Sequence, residues 1–318
     1  VSAIEVVALT GGVGGAKLAL GLQRVLPPGA LACVVNPGDD FDHLGLRICP
    51  DLDTHLYTLS GMHDEARGWG RRDETWRFMD ALRALAGPDW FALGDGDLAV
   101  HVLRTARLRA GATPTEVAAE FTARLGIPGP VLPACDEPVA TLVRTPAGTL
   151  AFQEYFVARR AAPAVLGLEY AGADRARPTA SVLAALAAPG LRAVVVCPSN
   201  PWLSIDPLRA VPGLEAAVRA AGRPVVAVCP LIGGRAVKGP TAKIVAELGL
   251  APTPATIAGH YAGLIDGLVI DPEDAAWATR CAVPTHVVPT LMTTLQDRER
   301  VARETLSFAA ALGARTAT

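Results

Sequence analysis

The sequence predicts an α/β protein, a doubly wound and mostly parallel sheet with helices on both faces. Three observations predict it. Short β-branched runs recur along the chain, helical patterns fill most of the intervals, and a glycine-rich turn joins the first run to the first helix. Parallel neighbours need a crossover, normally a helix, so this alternation points to a Rossmann-like core.

The runs Ile4–Leu9, Leu31–Asn36, Leu191–Cys197, Pro224–Cys229, Leu268–Ile270 and Val283–Val288 read as buried strands. Helical patterns cover Ala16–Leu26, Gly213–Ala221, Thr241–Leu248, Thr253–Gly263, Pro272–Cys281 and Thr294–Leu312. Two stretches break the rhythm. Between Thr54 and Leu125 the strand signal vanishes, and amphipathic patterns over Thr75–Leu85, Leu98–Leu108 and Thr115–Leu125 predict a helical insert. Val139–Thr145 and Thr149–Val157 flank Pro146-Ala147-Gly148, a turn signal that predicts a β-hairpin, with Ala161 to Pro178 as the return path to the core. The expected organisation is a core made of residues 1–53 and 128–318, carrying the insert 54–127.

Composition narrows the function classes. Of 318 residues 51% are hydrophobic and 19% charged, which excludes intrinsic disorder. Lys and Arg number 29 against 31 Asp and Glu, so the basic excess of a nucleic-acid binder is missing. Apolar stretches such as Pro224–Ile232 fall short of the roughly 20 residues that cross a bilayer, so no membrane partner is expected. Ile4–Leu9 follows no basic region, contains Glu5 and runs into glycines, which reads as a first strand and predicts a cytoplasmic location. The six cysteines form no Cys-x-x-Cys pair and the histidines no His-x-x-x-His, so a zinc site is not expected.

Thr10-Gly11-Gly12-Val13-Gly14-Gly15-Ala16-Lys17 follows a strand and opens a helix, where backbone N–H groups can cradle an anion. It is not a Walker A loop, because Ala16 and Leu18 stand where glycine and a hydroxyl are needed, and Lys17 replaces the third glycine of Gly-x-Gly-x-x-Gly. A tight packing turn is the plain alternative. Lys17 favours phosphate, since a cation at a helix start is costly unless an anion offsets it.

After the second strand, Asn36-Pro37-Gly38-Asp39-Asp40-Phe41-Asp42 and Pro50-Asp51-Leu52-Asp53-Thr54 place five carboxylates within nineteen residues. Beside a phosphate site such carboxylates need a hard cation between them and the ligand, and magnesium is the usual one. Helix caps would use some of them, but five exceed what capping requires. Asp95-Gly96-Asp97 alone reads as a helix cap with a turn, and Trp69, Glu74-Thr75 and Trp76 either stack a flat ligand or fill the insert. Two later loops offer hydroxyl, amide and cationic groups to the same sheet edge: Pro198-Ser199-Asn200-Pro201 with Ser204, and Gly233-Gly234-Arg235 with Lys238-Gly239.

Taken in this order, with Leu93-Gly94-Asp95 and Trp69-Gly70, these motifs resemble the CofD family from about residue 5 to 300. Its members are the 2-phospho-L-lactate transferases of coenzyme F-420 biosynthesis, including phosphoenolpyruvate-type enzymes. The resemblance implies a Rossmann-like core with a helical insert, a homodimer and magnesium dependence. It also implies the reaction. A guanylyl-diphospho-linked lactate, or its enolpyruvyl or glyceryl analogue, gives its phosphorylated three-carbon unit to the ribityl hydroxyl of the 5-deazaflavin Fo, and GMP leaves. Carried over by position, Asp51, Asp53, Asp95, Gly96 and Asp97 would face Fo. Gly11, Gly12, Gly14, Gly15, Lys17, Ser199, Asn200, Pro201, Ser204, Gly233, Gly234, Lys238 and Gly239 would face the guanylyl donor. Gly96 stands where the family commonly carries a basic residue. On this resemblance magnesium is expected on Asp39, Asp40 or Asp53, with Asp51 or Asp53 accepting the proton of the attacking hydroxyl. Lys17 and Lys238 would stabilise the charge developing on GMP.

Two other classes match part of the pattern. A non-catalytic binder of a uridine-diphospho-sugar in the same superfamily shares the glycine loop but has no use for a dense acidic cluster. An NAD-dependent dehydrogenase is disfavoured because strand two ends in Asn36, without a ribose-binding carboxylate at its tip.

Overall fold

The protein is described by a computed structural model covering residues 4–316. The chain enters through β1 (Val6–Thr10), α1 (Gly12–Val25) and β2 (Leu31–Val35). An antiparallel hairpin follows, β3 (Phe41–His43) with β4 (Leu46–Ile48), then four helices: α2 (Pro50–Leu59), α3 (Arg77–Ala84), α4 (Asp95–Arg109) and α5 (Pro114–Arg124). Next come β5 (Val131–Pro133), β6 (Ala140–Thr145), β7 (Gly148–Ala151), β8 (Gly167–Ala171), α6 (Ala180–Leu186), β9 (Ala193–Val196), α7 (Asp206–Arg209), α8 (Leu214–Ala220) and β10 (Val225–Val228). The chain closes with β11 (Leu231–Ile232), β12 (Arg235–Ala236), α9 (Thr241–Glu247), α10 (Pro254–His260), β13 (Gly267–Ile270), β14 (Thr285–Val287) and α11 (Leu295–Thr316).

Seven strands form one parallel sheet in the order β14-β13-β10-β9-β1-β2-β5. Successive residues of a strand face opposite ways, and each face has its own apolar layer. Val7, Leu9, Val194, Val196, Ala227 and Leu268 pack against α6 to α10. Val6, Ala8, Cys33, Val195, Val226 and Val269 pack against α1, α2, α5 and α11. The doubly wound core is therefore as the alternating pattern implies, and all six strands read from the sequence lie in it.

Three local expectations differ from the structure. The edge strand β5 lies in a segment not read as a strand, because two apolar residues between Pro130 and Pro133 are too short to show a period. The second arm of the predicted hairpin stops at Ala151 and turns into a π-helical turn, Glu154–Ala158, while β8 in the supposed return path adds a third antiparallel strand beside β6. Pro272–Cys281, read as an α-helix, is a 3-10 helix over Pro272–Arg280.

The stretch 54–127 forms the crossover from β2 to β5. Its helices α2 and α5 sit in the main apolar layer, through Leu56 and Leu59 on one and Val117 and Phe121 on the other. Its outer part closes on a small cluster of Ile48, Met79 and Leu93. Among the described residues no helix is long and apolar enough to cross a membrane.

Helix α11 packs along α1, and Gly21 makes that contact possible. A Cβ at Gly21 would run into the Arg298 carbonyl, so the two backbones meet where only glycine fits. The start of α11 is fixed by a capping box. Thr294 Oγ1 accepts from Asp297 N at 3.1 Å, while Asp297 Oδ2 accepts from the amides of Thr294 (2.9 Å) and Thr293 (3.2 Å) and from both hydroxyls. These bonds, led by the Thr294 amide, hold the Asp297 carboxyl well below its ordinary range. A depressed folded-state value stabilises the fold above the unfolded value, about pH 4, and the contribution is lost as pH falls. Asp297→Asn is thus expected to lower the unfolding midpoint at pH 7. Denaturant titrations from pH 7 to 2 should show the difference from wild type shrinking below about pH 4.

Candidate active site

β1 has β2 on one side and β9 on the other, so the loops leaving their carboxyl ends diverge and open a crevice. The glycine loop lies in that crevice. Gly12 has φ +63°, a left-handed conformation that L side chains rarely adopt, and from there α1 begins with no side-chain cap. The loop after β9 packs directly onto it. Ser199 Oγ accepts from Gly11 N at 3.1 Å and donates to Gly11 O at 2.8 Å, tying the two loops together. A Cβ at Gly11 would lie 2.7 Å from Ser204 Cβ, which leaves no room for one. Asn200 accepts from Trp202 N (3.0 Å) and Leu203 N (3.1 Å), starting a buried π-helical turn over Pro201–Ile205. Behind that turn Asp206 holds His260 at 2.9 Å and Arg209 at 3.2 Å.

Helix α2 carries buried polar side chains on two faces. At about 100° per residue, positions four apart share a face and positions two apart point to opposite sides. Asp51 and His55 face the glycine loop. His55 lies 2.9 Å from Thr10 Oγ1, and burial lowers its pKa to about 4. Asn36, at the tip of β2, directs Nδ2 to Asp39 Oδ1 (3.0 Å), Asp51 Oδ2 (2.9 Å) and Leu203 O (3.1 Å). One amide thus draws two buried carboxylates together. Burial pushes Asp39 well above the usual carboxylate range, with the neighbouring Asp51 charge adding to it, and burial pushes Asp51 up to about 6.

The other face of α2 meets α4. Asp53 takes both ends of the Arg104 guanidinium, Nη1 at 3.0 Å from Oδ2 and Nη2 on Oδ1, with side chains only 6% and 2% exposed. Tyr57 OH donates to Asp97 Oδ1 at 2.5 Å, and His101 Nε2 lies 3.1 Å from Asp97 Oδ2. Burial opposes the charge of Asp97, but His101 and Tyr57 outweigh it and keep the carboxyl below its ordinary range. Asp97 is therefore an oriented, ionised acceptor at the start of α4.

This geometry redistributes the acidic set read from the sequence. Asp53 is withdrawn from the expected metal and base roles, because both of its oxygens serve a buried guanidinium. Asp40 turns toward Arg47 at 3.6 Å, away from the Asn36 amide, and burial raises its pKa to about 7. Among the described residues no three His, Cys, Asp or Glu side chains gather as a metal set, and of Asp39, Asp40 and Asp53 only Asp39 shares the Asn36 amide with another carboxylate. The converging pair is Asp39 with Asp51. Asp95 is also engaged: its carboxylate accepts from Thr75 Oγ1 (2.5 Å), Arg77 N (3.1 Å) and Phe78 N (3.0 Å), which caps α3. Gly96 N donates to Glu74 Oε2 at 2.7 Å.

The later loops divide in the same way. Gly233 (φ +57°) and Gly234 (φ +71°) are the two central residues of the β11–β12 hairpin turn, held by Gly233 N on Asp274 Oδ2 at 2.9 Å. Their place in the fold is that of a turn, and Arg235 is paired with Glu273 at 3.1 Å. Lys238, beside the exposed Gly239, reaches across to Gly68 O at 2.5 Å, and Lys17 Nζ donates to Met292 O at 3.0 Å. Next to Asn36 a cavity of about 250 Å³ opens between β2, β5 and α5, lined by Asp40, Cys49, Arg104, Val117 and Cys135.

Asn36, Tyr57, His101 and Arg104 were not singled out from the sequence as site residues. The last two carried a signal: Asp97, His101 and Arg104 recur at i, i+4 and i+7, a polar stripe on one helix face.

Comparison with known proteins gives the same reading of the chain. Residues 6–303 match the family model described as 2-phospho-L-lactate transferase CofD. The chain is 38% identical over 315 residues to the phosphoenolpyruvate transferase of Streptomyces avermitilis, covering 96% of this chain and 98% of that protein. It is 38% identical over 319 residues to that of Nocardia farcinica, covering 96% and 95%. Among solved structures, protein BH3568 from Bacillus halodurans superposes with a TM-score of 0.65 at 18% identity, over 96% of this chain and 100% of that one. That likeness concerns the fold. With the family model spanning almost the whole chain and relatives above a third identical, this chain belongs to the CofD family and is a transferase.

Proposed function

We propose that this transferase moves the phosphorylated three-carbon unit of a guanylyl-diphospho-linked acid to the ribityl hydroxyl of the deazaflavin Fo, releasing GMP. Its place is then in coenzyme F-420 biosynthesis. Because the curated relatives are named phosphoenolpyruvate transferases, the enolpyruvyl unit is the first choice of donor. The observation that carries the reading is the Asn36 clamp, which draws Asp39 and Asp51 together beside the glycine loop at the switch point.

Two buried carboxylates sharing one amide fit a hard divalent cation, which favours oxygen ligands and substrate phosphates. Asp39 and Asp51 would hold magnesium, which when bound neutralises the pyrophosphate of the donor. The chain's own groups do the rest. Amides at the start of α1 and the Lys17 ammonium bind the donor phosphates, and Asp51 takes the proton from the attacking hydroxyl. Asp97, fixed by Tyr57 and His101, accepts hydrogen bonds from the hydroxyls of the acceptor. Positioning and charge neutralisation are most of what such a transfer requires.

The test is one assay with purified protein, magnesium and Fo, offering the lactyl, enolpyruvyl and glyceryl donors separately and reading product mass. An enolpyruvyl adduct of Fo with release of GMP is expected. Failure of every donor to modify Fo, with tight binding of a uridine-diphospho-sugar, would contradict the reading.

A further inference from the structure

Three cations from distant parts of the chain converge at the rim of the glycine loop. Lys17 lies in the first turns of α1, and its ammonium donates to the Met292 carbonyl, two residues before the Thr294 cap of α11. Arg298 follows one turn into α11, at the point where Gly21 of α1 meets its backbone, and Gly21 is one turn beyond Lys17 on the same face. Lys238 arrives from the loop after β12 and donates to Gly68 O. Gly68 closes a turn by donating to Asp64 O at 2.8 Å, and the same turn carries Glu65.

The carboxylate at this point is Glu65. Its Oε1 accepts from Arg298 Nη2 at 3.0 Å and lies 3.2 Å from His63 Nε2. The partners are unequal, since Glu65 is 67% exposed while Arg298 is 3% exposed. Arg298 Nε is buried with no hydrogen-bond partner. A desolvated guanidinium donor left unpaired is costly, and like charges gathered in one place raise that cost unless an anion joins them. Lys17 registers the crowding: burial lowers its pKa, and Arg298 and Lys238 lower it further.

We propose that Arg298 completes, with Lys17 and Lys238, a binding site for a diphosphate, and that Glu65 occupies this site in the ligand-free chain. The arriving diphosphate displaces the Glu65 carboxylate, takes the Arg298 fork and releases the 64–68 turn from α11. A guanidinium fork suits phosphate oxygens as well as it suits a carboxylate. The inference rests on reading the glycine-loop edge as the nucleotide side of the site.

Isothermal titration of the full chain with inorganic pyrophosphate, and separately with GDP, tests it through opposite signs. Glu65→Gln removes the internal competitor and should tighten both ligands several-fold. Arg298→Gln should weaken both by roughly tenfold or more, the size expected for loss of a charged hydrogen bond. Because Arg298 is buried, its variant is compared only after its circular dichroism and melting curve match wild type. Glu65 is exposed, so its variant carries the test alone if Arg298→Gln fails to fold. Unchanged or weaker binding by Glu65→Gln would overturn the proposal, as would wild-type chain that binds neither ligand. The two readings fail separately. Binding with the predicted signs in a chain that transfers nothing to Fo would sink only the catalytic reading. Transfer by a chain whose Glu65→Gln variant gains no affinity would sink only this one.

Discussion

Asp53→Asn is expected to destabilise the fold by about 3 kcal/mol or more, because it leaves the Arg104 guanidinium buried without its counter-charge. The pair is almost fully enclosed between α2 and α4, and Arg104 Nη1 also lies 3.3 Å from His101 Nδ1. An asparagine keeps one acceptor but no charge, and water cannot replace what is lost at a side chain 2% exposed. Arg104→Met should cost a similar amount for the mirror reason, stranding the Asp53 carboxylate. Replacing both together, Asp53→Leu with Arg104→Met, should recover much of the loss, since an apolar pair of similar volume avoids both desolvation terms. Urea unfolding checks this: each single variant should lower the midpoint at unchanged slope, and the double variant should lie between them and wild type. Single variants within about 0.5 kcal/mol of wild type would show that the pair is not structural.

Asp51→Asn is expected to do the opposite, leaving the fold intact and removing the chemistry. Asn at this position can still accept from Asn36 Nδ2, and the charge beside Asp39 disappears. Stability should therefore hold or rise slightly. Turnover should fall by roughly 10²–10⁴-fold, the usual range for a lost acid–base group, because neither the proton acceptor nor half of the carboxylate pair remains. A single-turnover assay with Fo and donor separates this from an effect on product release.

The two aspartates stand two residues apart, and their separation into different roles shows how far the sequence was legible. The glycine loop, the acidic segment after strand two and the loop after β9 were placed at one sheet edge by the alternation of strands and helices alone. Asp51 and Asp53 share a motif but not a helical phase. Once Pro50-Asp51-Leu52-Asp53 opens a helix, the two side chains point about 200° apart, and only one of them can face the glycine loop. Asp95 and the Gly233-Gly234 pair follow another rule: Asp95 caps α3, not the helix it precedes, and the two glycines turn the β11–β12 hairpin, so local backbone needs take residues that the sequence also offered to ligands. The Asn36 clamp was not legible, because it joins the tip of β2 to the start of α2 across fifteen residues of hairpin and loop. Nor was Arg298, which reaches the glycine loop only because α11 folds back along α1 at Gly21. Contacts of that kind depend on how layers stack, and no local period encodes them.

The most direct test sets Asp51→Asn and Asp53→Asn side by side, measuring for each the rate of transfer to Fo and the urea midpoint. A stable, inactive Asp51 variant is expected, with an Asp53 variant whose primary defect is lost stability. Near-normal transfer by Asp51→Asn would contradict this.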